Sequence, residues 1–119
     1  MSGWIEELFH DLDHGGVPAI FSFLDENVEF RFGSFPPDRG RQRFAEVWQA
    51  MSPRISAMRH EVLETWQPGD RAICRGTVHY DLEDGGTVTV PFATFFRLRD
   101  GRVTEYLIYV DAAAVFGRP

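Results

Sequence analysis

The sequence predicts an α+β fold: three helices of the N-terminal half packed on a strongly curved, mainly antiparallel sheet, with a cone-shaped hollow between the layers. Gly69, Gly85 and Gly101 stand sixteen residues apart, each inside a turn cluster: Pro68-Gly69-Asp70, Asp84-Gly85-Gly86 and Asp100-Gly101-Arg102. Between these turns run stretches rich in β-branched and aromatic residues, the pattern of consecutive hairpins. Before Met51 the apolar residues recur mostly at helical spacing, apart from a short alternating run at Val28, Phe30 and Phe32.

Trp4, Ile5, Leu8, Phe9 and Leu12 predict an amphipathic helix over residues 3–13, stopped by His14-Gly15-Gly16. Val17-Pro18 opens a second short helix, because proline near the first helical position loses little by lacking an N–H. Its apolar face is Val17, Ile20, Phe21 and Leu24, and Asp25-Glu26-Asn27 ends it. Val28, Phe30 and Phe32 then alternate with Glu29 and Arg31 as a strand, and residues 33–40 read as a loop. Residues 41–51 form a third helix facing the core with Phe44, Val47, Trp48 and Met51, and Pro53 closes it. Strands follow at 54–67, 71–83, 86–99 and 102–111. A strand of that length spans about 43 Å and must twist and curve, which produces the hollow.

At 119 residues the chain is one domain. A net charge of −6 argues against nucleic acid as a partner. No apolar run approaches a membrane span, and the N-terminus lacks a secretory pattern. The single cysteine, Cys74, cannot form an internal disulfide, which fits a reducing cytoplasm. All twelve basic residues are arginine, so lysine nucleophiles and Schiff bases are excluded. Arg39, Arg41 and Arg43 form a local basic cluster, either an anion site or a solvated loop and helical turn.

Strand alternation sorts the candidate site residues. Val88, Val90, Phe92, Thr94, Phe96 and Leu98 share the core face of their strand, and Met58, His60, Val62 and Trp66 share one face of another. His60 is a lone imidazole among apolar neighbours: a pocket acid/base, or a buried histidine satisfied by one hydrogen bond. On 71–83 hydrophobicity alone puts Cys74, Val78 and Tyr80 inside and Arg75, Thr77 and His79 outside. His10 and His14, at i and i+4 beside Asp11 and Asp13, have a metal-compatible spacing without a distant partner ligand, and no metal site is assigned.

The element order resembles the nuclear transport factor 2-like superfamily and, within it, the SnoaL-like proteins. The residues that carry the resemblance are Phe23-Leu24-Asp25-Glu26-Asn27-Val28-Glu29-Phe30, Pro37-Asp38-Arg39-Gly40-Arg41 and Val90-Pro91-Phe92, with Asp100-Gly101-Arg102-Val103 and Tyr109-Val110-Asp111 at the end. The resemblance covers nearly the whole chain. It implies that working polar residues of the strand at 71–83 point into the cone, which would bring Arg75, Thr77 and His79 to the pocket. Arg75 matches the arginine of limonene-epoxide-hydrolase-like enzymes, but their two aspartates fall on Thr77 and Ile108, so that catalytic set is broken. Tyrosines from the early helix or first strand, used by isomerase- and dehydratase-like relatives, are replaced here by phenylalanines; Tyr80, Tyr106 and Tyr109 all come late. His60 and His79 with a first-helix carboxylate, Asp11 or Asp13, resemble the dehydratase arrangement. Asp111 matches the position of a cyclase acid/base, or bonds the backbone of the closing segment.

The expected function is binding of a small hydrophobic, oxygenated or polycyclic molecule in the cone, with cofactor-free acid/base chemistry of isomerase, cyclase or dehydratase type. His60 and His79 would transfer protons, Arg75 would clamp an oxyanion or carboxylate, and Thr77 and Thr94 would orient the ligand. Phe30, Trp48, Met58, Trp66 and Phe92 would wall the pocket, joined by Val90, Ile108 and Val110. The alternative is a non-catalytic binding or dimerisation module. A homodimer through the open sheet face is expected from outward Leu63, Val78, Phe95, Leu107 or Tyr109.

Overall fold

The computed structural model describes residues 3–116. Helix α1 (Trp4–Gly15) buries Ile5, Leu8, Phe9 and Leu12, the face its spacing predicts. A 3₁₀ helix (Val17–Phe23) follows, with Val17 and Ile20 buried. It leads into β1 (Leu24–Phe32), then a two-residue strand β2 (Asp38–Arg39) and helix α2 (Arg41–Met51). The four long strands are β3 (Ile55–Trp66), β4 (Arg71–Leu82), β5 (Thr87–Arg99) and β6 (Arg102–Val110), followed by a single helical turn, α3 (Ala113–Phe116).

The sheet runs β2-β1-β6-β5-β4-β3, so β3 is an outer edge. Every pairing is antiparallel except β1 with β6. The Asp-Gly turn between β5 and β6 is tight because both residues adopt positive φ, 52° at Asp100 and 78° at Gly101, which suits the right-handed twist of the strands. Along β4 and β5 the even positions point inward to the helices, where Ala72, Cys74, Val78, Tyr80, Val90, Phe92, Thr94 and Phe96 are all buried. The fold class and this choice of face agree with the hydrophobic pattern.

Register irregularities bend the sheet at three points of its long antiparallel ladders: between Ile55 and Ala57, between Val62 and Glu64, and between Arg97 and Leu98. The second lies against Gly76, where a Cβ would collide with the Glu61 carbonyl, so the bulged edge strand rests directly on a bare backbone. Each bulge also reverses side-chain parity. After the Val62–Glu64 bulge Trp66 pairs with Ile73 on the outer face and is 46% exposed. Its expected place in the pocket wall, drawn from uninterrupted alternation, is therefore corrected.

Three smaller expectations also change. The second helix is 3₁₀ rather than α, and Asp25-Glu26-Asn27 lies within β1, whose pairing with β6 breaks between Leu24 and Glu29. The loop at 33–40 contains β2, which Arg39 and Asp38 pair to Glu29 and Phe30. α3 has no periodic signature because one turn is too short to carry one.

Candidate functional site

The inner face and the helices enclose an apolar cavity of about 50 Å³. Phe30, Phe92, Thr94, Tyr106 and Ile108 line it from the sheet, Phe9 and Leu12 from α1, and Phe44, Trp48 and Met51 from α2. Met58, His60 and Tyr80 close one side, and Val110 and Phe116 another. Trp48 packs against Gly16, where a Cβ would collide with its indole nitrogen. No arginine, aspartate or glutamate belongs to this lining.

The principal polar feature is a pair tying α1 to the free edge of the sheet. The backbone N–H of His60 donates to Asp13 Oδ2 at 2.7 Å, and His60 Nδ1 meets Asp13 Oδ1 at 2.6 Å. Both side chains are withdrawn from solvent, 9% exposed for His60 and 7% for Asp13. A carboxylate only accepts, so the neutral imidazole carries its proton on Nδ1 and keeps the Nε2 lone pair. Phe9 stacks on the ring at 4.4 Å between centroids, and Phe92 meets it edge-on at 5.1 Å. The ring is thus fixed in both orientation and tautomer.

Two phenols and a hydroxyl complete the polar inventory. Burial, reinforced by the Asp13 charge, pushes the Tyr80 phenol up to about 12. Complete burial also pushes Tyr106 well above the ordinary phenol range, with the Cys74, Asp13 and Tyr80 charges acting in the same sense. Both phenols therefore stay protonated over the ordinary pH range and keep an O–H to donate. Among the described residues no hydrogen bond engages either hydroxyl. Thr94 Oγ1 is buried without a nitrogen or oxygen partner. It meets the weak Cys74 thiol, itself pushed up to about 11 by burial.

His60 and Asp13 come together as the sequence allowed, while the rest of the expected catalytic set does not. Arg75, Thr77 and His79 lie at odd positions of β4, on the face opposite the cavity. Arg75 pairs with Glu64 at 2.5 Å, and His79 bridges Thr89 Oγ1 at 2.7 Å and Asp81 Oδ1 at 2.8 Å. Hydrophobic alternation was the correct guide there, and the resemblance to enzymes that turn this strand's polar residues inward was not. Phe30, Trp48, Met58, Phe92, Thr94, Ile108 and Val110 line the cavity as expected; Val90 is buried beside it without forming part of the wall. Val78, read as inward by alternation and as outward for the dimer face, is buried on the inner face.

The remaining candidates have other partners. Asp11 is at the surface beside His10, 3.5 Å away, and Asp111 is exposed, its carbonyl accepting the Ala114 N–H. His14 Nδ1 bonds the His10 carbonyl at 2.7 Å, and no group of three or more metal-ligating side chains occurs among the described residues. The arginine cluster is committed internally: Arg39 to Glu29, Arg43 to Asp38 and Glu46, and Arg41 to the carbonyls of Phe21 and Leu24. Tyr80 and Tyr106 are the polar site residues missed, along with Phe9, Phe44 and Met51 of the wall; the inward faces of β4 and β6 were the available signal for the tyrosines.

The sequence profile of the SnoaL-like domain matches residues 5–106. No curated protein matches the chain by sequence. An NTF2-like protein of unknown function from Burkholderia pseudomallei superposes with a TM-score of 0.85 at 18% identity, covering 96% of this chain and 95% of that one. A SnoaL-like protein described as a putative polyketide cyclase, from Jannaschia, gives 0.77 at 17% identity over 96% and 92% of the two chains. TerC, co-crystallised with polyporic acid, gives 0.77 at 23% identity over 92% and 90%. No helix among the described residues is long and apolar enough to cross a membrane.

Proposed function

The chain belongs to the SnoaL-like domain family of the NTF2-like superfamily, and from that premise we propose that its cone binds a small hydrophobic carbonyl compound and moves a proton on it. His60 is the base and Asp13 the residue that positions it. The observation that carries this reading is the buried Asp13–His60 contact at the wall of an otherwise apolar cavity. Asp13 fixes the ring proton on Nδ1, so Nε2 is free to take a proton from a carbon beside a carbonyl. Tyr80, held neutral, is the donor nearest in character to an oxyanion partner as the carbonyl oxygen gains charge. No cofactor is required by this scheme.

A two-ring ketone such as 1-tetralone tests it, by following deuterium uptake at its α-carbon in D₂O by NMR. The wild-type chain should accelerate exchange, and His60→Gln should return it to the background rate while ligand binding persists. Equal exchange by wild type and His60→Gln would overturn the proton-transfer role. One feature favours a second reading: Asp13 also satisfies an N–H on the open edge of β3. Binding with background exchange in the wild type would select that reading, a non-catalytic ligand-binding module with a structural Asp13–His60 tie.

We further propose that two copies pair through the outer face of the sheet. Trp66, Ile73, Phe95 and Leu107 are successive register partners, forming an apolar row across β3, β4, β5 and β6. Arg71, Arg97 and Glu105 flank it on one side and Glu64 and Arg75 on the other. Mixed signs on both flanks suit a two-fold, self-complementary contact. Light scattering should find a dimer for the wild type and a folded monomer for Phe95→Glu; a monomeric wild type would overturn the pairing.

A further inference from the structure

We propose that Thr94 anchors a second, uncharged oxygen of the ligand, remote from the carbonyl that His60 works on, and that anionic ligands are excluded. This inference rests on the proton-transfer reading for the identity of the reacting end, but its own observations are separate. Thr94 lines the cavity and is 1% exposed, and its Oγ1 has no nitrogen or oxygen partner, only the weak Cys74 thiol beside it. Buried hydroxyls are almost always hydrogen-bonded, so a wall hydroxyl left open marks where a ligand's polar atom fits.

Its position separates it from His60. His60 is paired with Val78 on β4, whereas Thr94 is paired with Cys74, four residues further along the same strand and on the other side of it. Two strand spacings and four residues put the backbones roughly 16 Å apart before the side chains reach inward. A single oxygen cannot serve both. Phe9 and Phe92 lie against each other at 5.4 Å, and both pack on His60. Phe92 is also two residues from Thr94 on the same face of β5, so aromatic surface flanks the span between the two polar stations. A ligand that joins them is therefore a fused or linked ring system with an oxygen near each end.

The charge class follows from the wall. Its only titratable groups are His60, Tyr80 and Tyr106, and Asp13 stands behind His60 as a fixed negative partner. There is no guanidinium to neutralise a carboxylate, since Arg75 faces the opposite side. A carboxylate would give up its hydration for hydroxyl donors alone, with no cation to offset the loss. The cavity of about 50 Å³ also requires part-buried Trp48, Met51 or Met58 to shift as a ring system enters. Methionine side chains accommodate such shifts readily.

Three probes test the inference: 1-tetralone, 6-methoxy-1-tetralone with a remote ether oxygen, and the 6-carboxylate of 1-tetralone. Binding is read by intrinsic tryptophan fluorescence. The methoxy ketone should bind about tenfold more tightly than 1-tetralone, and the carboxylate at least about tenfold more weakly. Thr94→Val should erase the methoxy preference, and Thr94→Ser should keep it. A preference that survives Thr94→Val, or a carboxylate bound as tightly as the ketone, overturns this inference and leaves the role of His60 standing. Exchange lost in His60→Gln with no methoxy preference in the wild type does the same. If none of the three probes binds the wild type, the ligand-binding reading and this inference fall together.

Discussion

His60 and His79 sit on adjacent strands, each against an aspartate, and the sheet places them in different surroundings. His60 faces inward, where Phe9 and Phe92 cover it and Asp13 holds it by two contacts. His79 faces outward, 28% exposed, bridging Asp81 and Thr89 on a surface open to water. The chemistry of the two pairs is nearly identical, and what differs is the medium. Water screens the outer pair and competes for its hydrogen bonds, while the inner pair, with 9% and 7% of its side chains exposed, meets far less of it. In the proposed function the imidazole with a fixed tautomer in the inner wall is the one that transfers the proton, and the same imidazole on a wet sheet face has no part in it.

The largest effect expected from this contrast is on chemistry. His60→Gln should reduce α-proton exchange of 1-tetralone by about 100-fold or more, the usual contribution of a positioned base. His79→Gln should leave the rate within error of the wild type. Parallel losses in the two variants would break the comparison, because they would put the outer pair in the reaction path.

A smaller difference is expected in stability. Asp13→Ala leaves the His60 N–H and ring nitrogen buried without their acceptor, which should cost about 1–3 kcal/mol in urea unfolding. Asp81→Ala removes a partner that water replaces, so its cost should stay below about 0.5 kcal/mol. Asp13→Asn sharpens the point. An amide can donate to Nδ1, which moves the ring proton to Nε2 and removes the free lone pair, so exchange should fall even where stability is retained.

Most of the architecture was legible because its signals are local. Glycine turns and alternation located the four long strands within a residue or so, and helical spacing located α1 and α2. Trp66 was misplaced because a bulge reverses parity, and nothing in residues 62–66 announces the extra residue; its partner signal is Gly76, thirteen positions away in the chain. His60 was legible as a lone imidazole on an apolar face. Its pairing with Asp13 was one of several open options, since α1 offered Asp11 and Asp13 and only packing decides between them. Arg75 and His79 went astray where a family pattern was allowed to outweigh the alternation of the strand itself. Tyr80 and Tyr106 obey that alternation, but alternation alone does not separate a pocket phenol from an ordinary core residue.

The last and smallest expected effect concerns alkaline pH, and it follows from what burial does to the inner face. The Tyr80 phenol ionises ordinarily near 10 and is pushed up to about 12, chiefly by desolvation and then by the Asp13 charge. The folded state therefore keeps a proton that the unfolded chain gives up first. Stability from this source is complete below pH 10 and is lost as pH rises through about 12, because there the unfolded state binds fewer protons than the folded one. Cys74, pushed up to about 11 by burial from its ordinary 9, adds to the decline in the same direction, as does Tyr106. Urea midpoints measured from pH 9 to 12 should fall progressively, and Tyr80→Phe should make the fall shallower because a ring without a hydroxyl has no proton to lose. His79→Gln, on the wet face, should track the wild type throughout. A Tyr80→Phe curve parallel to the wild type would mean that water reaches the phenol, and the inner wall would then lose the dryness on which the contrast between the two histidines depends.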